Sequence, residues 1–326
     1  MSRIYYGGQA VLEGVMMRGP RDMAVAVRAP SGRIVVQTEA LSSTSKNHWI
    51  KLPIIRGAVA LWDTMVLGFR ALMFSADVNM EETPAEAAAR QKDMGSQPSA
   101  EPEKPKMPQG VLWGSMIFAL ALSVGLFFVT PVLIMGVLDQ FLHSSFLSNL
   151  IEKIIRLAFI LGYIGGIGLL PDVRRVYQYH GAEHKTVLAH EAGQPLDVDH
   201  VRPFTTIHPR CGTTFLIVVV LVSFVVFLLL GQPPLIWRVV SRVVLIPFVA
   251  GIAYELIRLA ANSYDRAWVR ALLSPGLAVQ KLTTREPDDS QLETAIAALK
   301  AVFAAEAARS TANATQPAPV SVGAAA

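Results

Sequence analysis

Residues 111–138 read VLWGSMIFALALSVGLFFVTPVLIMGVL, and no formally charged residue occurs between Lys106 and Asp139. As a helix this run is long enough to cross ~30 Å of hydrocarbon, so the chain is predicted to enter a membrane. A second apolar run, Phe215 to Leu230, lies between Arg210 and Arg238 and ends at Gly231-Gln232-Pro233-Pro234, a turn signal. Two weaker segments extend the pattern. Leu157 to Leu170 reaches spanning length if Ile151 to Ile155 joins it, with Glu152, Lys153 and Arg156 snorkelling near the interface. Val239 to Ala261 carries Arg242, Glu255 and Arg258, so it either spans with its charges facing protein or anchors at the interface.

Composition agrees with a membrane chain: 52% of the 326 residues are hydrophobic and 17% charged. The single cysteine, Cys211, excludes an intrachain disulfide framework and fits a reducing compartment. A net charge of +4 is what basic residues flanking membrane spans produce, and no nucleic-acid partner is expected. With about four spans, the N-terminal region, the central loop and the C-terminal tail share one side. The central loop holds Arg174, Arg175, Lys185, Arg202 and Arg210, whereas Asp139 to Leu150 has no Lys or Arg. The shared side is therefore expected to be cytoplasmic.

The expected fold class is an α+β membrane protein. Residues 1–80 form an N-terminal unit in which Met23 to Val27 and Arg33 to Thr38 make a β-hairpin across Ala29-Pro30-Ser31-Gly32. Leu52 to Val78 follows as an amphipathic helix that could cover its apolar face, with Arg56, Asp63 and Arg70 seven residues apart along one side. Residues 81–108 read as a flexible linker, 109–171 and 214–262 as two pairs of spans, and 172–213 as the central loop. Residues 263–309 form a C-terminal segment with a helix from Gln291 to Ala307, followed by a disordered tail over 310–326.

The chemistry concentrates in Tyr179-His180-Gly181-Ala182-Glu183-His184-Lys185. On a helix, side chains four apart share a face, so His180 and His184 can converge on one divalent metal, most simply zinc. Glu183 stands beside them as a base for a bound water, in the H-x-x-E-H order of inverted zinc peptidases. A hydrogen-bonded histidine cluster without metal is the alternative. A third ligand is sought among Glu191, His208 and Cys211. Seven residues of helix separate Glu191 from His184 by ~10 Å, which favours His208. In Ile207-His208-Pro209-Arg210-Cys211-Gly212, Pro209 blocks a helix and Gly212 permits a tight turn that folds the strip back. Arg210 or Arg18 is a candidate to stabilise developing negative charge. Gln9, Glu13 and Arg18 punctuate the glycine-rich opening as polar pocket candidates, and no Gly-Lys-Ser/Thr follows to make a P-loop.

The runs GGQAVLEGVMMRGP, YHGAEHKTVLAHE, HPRCGTTF, AGIAYELIRLA and PGLAVQKLTTREPDD, in this order from Tyr6 to about Leu299, resemble the YqhQ-like family of bacterial membrane proteins. That family is described generically as predicted metal-dependent enzymes. The resemblance implies a multi-spanning protein of the bacterial inner membrane, with His180, Glu183, His184, Glu191, His208 and Cys211 at the family's motif positions. It supplies no substrate. A metal-dependent hydrolase is the leading expectation, and a non-catalytic assembly or interaction protein with membrane-protein partners is the competing one. Transport, through Glu255 and Arg258, is a third class.

Reporter fusions after Gln194 and after Gln316 are expected to report cytoplasm, and a fusion near Ser144 the opposite side. An external signal at Gln194 would overturn the arrangement.

Overall fold

The computed structural model describes residues 6–41, 52–80, 109–142, 144–231, 233–261, 263 and 266–315. Four strands, β1 (Gly7–Val11), β2 (Gly14–Arg18), β3 (Asp22–Arg28) and β4 (Ile34–Ala40), form an antiparallel meander in chain order. The hairpin expected from residues 23–38 is its second half, and the glycine-rich opening supplies the first. Register pairs Val15 with Ala26 and Met17 with Ala24 on one face, and Met16 with Val25 on the other. Both faces are apolar, so the sheet needs two covers.

One cover is the expected one. Helix α1 (Ile55–Asn79) lays Leu67, Ala71 and Val78 on Met16, Met23, Val25 and Val27. The second cover comes from far along the chain: α5 (Pro171–Glu191) and α11 (Asp289–Thr315) pack together on Val15, Met17, Ala24 and Ala26. Fully burying one large apolar side chain such as Leu292 or Leu299 stabilises by ~1.5–3 kcal/mol. Helix α11 starts at a reciprocal cap, in which Asp288 Oδ1 accepts from Gln291 N–H and Gln291 Oε1 accepts from Asp288 N–H. It continues to Thr315, past the Arg309 boundary where a disordered tail was expected. The reason is tertiary: Arg309 pairs with buried Asp22 at 2.7 Å, and Tyr6 donates to Glu306 at 3.0 Å. Expectations for the linker 81–108 and for residues 316–326 lie outside the described residues.

The apolar segments are helical. Helix α2 (Gln109–Val124) runs through a π-helical turn (Gly125–Val129) into α3 (Thr130–Leu138). Pro131 lacks the N–H that would continue the ladder and its ring crowds the preceding turn, which accounts for the widened turn. Helix α4 (Ser145–Ile167) is followed by a 100° bend into α5. A short α6 (Val198–Val201) precedes α7 (Gly212–Leu229), and Gly231, at φ +67°, ends the latter. Helices α8 (Leu235–Val244) and α9 (Ile246–Ala261) are bent by 46°, and α10 (Ala267–Thr283) leads back to the sheet unit. Among the described residues three helices are long and apolar enough to cross a membrane, or up to five if each bent pair counts as one span. Helix α1 is among the three, although its second half serves the sheet. Its first half meets α9 where Gly57 and Gly251 let the backbones close, and Arg56 pairs with Glu255.

Glu152, Lys153 and Arg156 do not snorkel to an interface. They are 2%, 4% and 7% exposed, gathered with Arg242 inside the helix bundle. Helix α8 turns its cationic side inward, so Arg238 and Arg242 are buried while Ile236 and Trp237 face outward.

Leu299→Ala removes a fully buried side chain between α11 and the sheet. It is expected to lower stability by ~2–5 kcal/mol, read as a drop in thermal midpoint of the detergent-purified chain. An unchanged midpoint would mean that α11 is not part of this core.

Candidate metal centre

Pro171 at the first turn and Asp172 at the positive end start α5 cleanly after the bend. From Tyr179 to Ala189 the helix is largely buried, although this stretch contains Glu183, His184, Lys185 and Thr186. Two glycines permit the approach of its neighbours. A Cβ on Gly181 would lie 2.1 Å from the Arg285 carbonyl oxygen, and one on Gly8 of β1 would lie 2.7 Å from Glu183 Cγ. Helix α5 is thus held between the sheet edge and the chain segment that links α10 to α11.

His180 Nδ1 donates to the Thr283 carbonyl at 2.9 Å, and His184 Nδ1 donates to the Thr206 carbonyl at 2.5 Å. A carbonyl accepts only, so both rings carry the proton on Nδ1 and present the Nε2 lone pair. The rings lie 4.4 Å apart between centroids. Cys211, which caps the N-terminus of α7, brings Sγ to 3.3 Å from His180 Nε2. Ligand atoms of His180, His184 and Cys211 all fall within 4.8 Å of one another. Two donors sharing one tetrahedral ion, one S and one N, stand ~3.5 Å apart, so the Cys211–His180 distance is compatible with a shared ion and the group could hold a metal. Glu183, 6% exposed, holds Oε2 at 3.6 Å from His184 Nε2.

The third donor brought to the histidines is Cys211, where the spacing argument favoured His208. His208 is 5% exposed, with its ring centroid 5.5 Å from that of His184. Its Nδ1 accepts from the Arg210 N–H at 3.3 Å, and its Nε2 lies 3.7 Å from Glu191 Oε2. Burial holds its pKa below the usual histidine range, against the opposing pull of Glu183. Arg210 forms an ion pair with Glu191. Gly212 makes no tight turn; it opens α7, and the fold-back of the strip is completed by Cys211 as its cap. Lys185 donates to the Arg202 carbonyl at 2.8 Å and pairs with Glu286. Glu13, at φ +50°, closes the β1–β2 turn and receives both arms of the Arg175 guanidinium. That carboxylate also raises the pKa of Tyr179, after the larger effect of burial. Gln9 reaches α1 at Gly68, and Arg18 lies beside Thr64 at 3.4 Å. These contacts bind the sheet to α5 and α1.

Gln280 was missed as a positioning residue. Fully buried, it accepts from His208 N–H at 2.9 Å and donates to the His208 carbonyl at 2.8 Å and to Thr214 Oγ1 at 3.0 Å. It therefore clamps the His208–Cys211 strip to the start of α7. Its only sequence signal was membership of the run PGLAVQKLTTREPDD, because a glutamine on a helix announces no partner.

A sheet unit joined to long apolar helices, with two histidines and a cysteine gathered at the junction, defines an α+β membrane-type protein with a group able to hold a metal. The chain belongs to the family described as protein of unknown function (DUF1385), which it matches over residues 52–305. It is 32% identical over 311 residues, 93% of each chain, to the uncharacterized protein YqhQ of Bacillus subtilis (strain 168). No solved structure matches it.

Gly181→Ala would force a methyl group against the Arg285 carbonyl. Better helix propensity offsets under ~1 kcal/mol, while overpacking costs ~1–3 kcal/mol. A net fall in thermal midpoint is the expected result, and a rise would show that segment 284–286 does not cross there.

Proposed function

We propose that the protein is a metal-dependent hydrolase of the bacterial inner membrane, with a zinc-type site on the cytoplasmic side. The observation that carries this reading is the pair of Nδ1 hydrogen bonds to backbone carbonyls, which commits both histidines to offering Nε2 lone pairs toward the Cys211 sulfur. Three protein ligands leave a fourth position for a water or substrate, the pattern of catalytic rather than structural zinc. An ion held there supplies Lewis acidity toward a water and toward a carbonyl or phosphoryl oxygen.

The chain's own groups have separable tasks. Glu183, which has room beside Gly8 and lies 3.6 Å from His184 Nε2, takes the proton from the attacking water. His208, neutral through burial and accepting at Nδ1, carries its proton on Nε2 and serves as a donor to developing negative charge. Glu191 orients His208 and Arg210 from behind. Peptide, lipid and phosphoester substrates are all compatible with these roles.

A structural site is the second reading, and the buried His208 Nε2, without a hydrogen-bond partner among the described residues, favours it: a ring shift with transfer of the proton to Nδ1, at the expense of the Arg210 N–H bond, would add a fourth ligand and close the site.

Elemental analysis of protein purified without chelators tests the site, and complementation by a Glu183 variant distinguishes the two readings. His180→Ala and Cys211→Ala are expected to weaken metal retention at least about tenfold. Glu183→Gln is expected to keep the metal and to abolish complementation of a deletion strain. Full metal content in both ligand variants would sink the site, and functional tolerance of Glu183→Gln would favour the structural reading.

A further inference from the structure

Among the described residues, the buried charges gathered around Glu152 do not balance. Glu152 faces Lys153 at 3.5 Å, Arg156 at 3.1 Å and Arg242 at 3.1 Å. Among the described residues, three basic side chains against one carboxylate leave positive charge in excess, at residues no more than 7% exposed. The nearby Arg238 does not alter this sum, since Asp139 pairs with it at 2.9 Å. Lys153 Nζ and Arg242 Nη1 are buried with no hydrogen-bond partner among the described residues. Uncompensated charge out of water is strongly unfavourable, so this cluster calls for an anion.

Beside it lies a cavity of about 490 Å³, walled almost wholly by apolar side chains, with Arg156 and Arg242 on its lining. Its wall on α7 extends from Phe215 to Phe227, and Arg242 stacks over the Phe227 ring at 4.2 Å. Twelve helical steps from Phe215 to Phe227 make this wall ~18 Å long. A long apolar trough with cations at one end matches a single acyl chain joined to an anionic headgroup. The cluster is also remote from the histidines: Cys211 and Phe227 are sixteen residues, or ~24 Å, apart along α7. The inference therefore stands independently of the metal reading.

We propose that this trough binds an anionic phospholipid, its phosphate against Arg242 and Arg156, with Lys153 behind them, and one acyl chain along α7. The cations donate charge-assisted hydrogen bonds to the phosphate oxygens, and Glu152 keeps them aimed.

Native mass spectrometry of the full chain, delipidated in mild detergent and then offered phosphatidylglycerol, phosphatidylcholine or inorganic phosphate, tests this, with thermal midpoints measured in parallel. Phosphatidylglycerol is expected to be retained at least about tenfold better than phosphatidylcholine and to raise the midpoint. Arg242→Gln is expected to erase that preference. Val220→Trp, which fills the trough without touching the charges, is expected to abolish lipid retention and covers the case in which the arginine variant fails to fold. Equal retention of the two lipids by the native chain, unchanged retention in Val220→Trp, or stabilisation by inorganic phosphate alone as large as that by phosphatidylglycerol would each overturn the proposal.

Discussion

The second half of α5 is a polar sequence placed in a dry position, and much of the sheet unit is arranged around that placement. Glu183, His184, Lys185 and Thr186 are consecutive and buried. Each would be costly there without a partner. Thr186 donates back to the Ala182 carbonyl, Lys185 is met by Glu286 and the Arg202 carbonyl, and His184 by the Thr206 carbonyl. The Thr186 bond stays within α5, whereas the partners of His184 and Lys185 come from the later part of the central loop and from the link between α10 and α11. Moving α5 by one turn would orphan His184 and Lys185 together, so its register is strongly fixed.

That register couples the sheet unit to the apolar helices. The Thr283 carbonyl that orients His180 ends α10, and the cysteine that meets His180 begins α7. Gln280 ties the end of α10 to the His208 strip by two hydrogen bonds and to Thr214 of α7 by a third. Gly276 lets α10 close on Thr214, where a Cβ would lie 2.7 Å from the threonine methyl. A shift between α7 and α10 would thus be felt directly at the histidines. On the opposite side, α1 carries the same continuity from Gly57 against α9 to Val78 under the sheet.

The two polar clusters solve the burial problem differently. Around the histidines, backbone carbonyls and short ion pairs satisfy nearly every group, and the lone pairs left over point at one another. Around Glu152, charge itself is left over. The first pattern suits a cation and the second an anion, and their placement at opposite ends of α7 keeps the two fields apart.

Sequence alone determined the apolar helices, the β-rich opening and the His-x-x-Glu-His helix, because each rests on local periodicity: charge-free length, alternation, or four-residue spacing. It also singled out residues 207–212 as the strip that folds back. Tertiary structure decided what local spacing cannot encode. Whether His208, Glu191 or Cys211 would meet the histidines depended on where α7 begins relative to α5, and the capping of α7 by Cys211 settled that geometry. The second cover of the sheet, α11, comes from nearly three hundred residues downstream of the strands, as the Tyr6–Glu306 hydrogen bond shows. The burial of Glu152, Lys153 and Arg156 was equally invisible. On paper their stems could snorkel, and only the inward turn of α8, which sets Arg242 opposite them, keeps their charges inside the bundle.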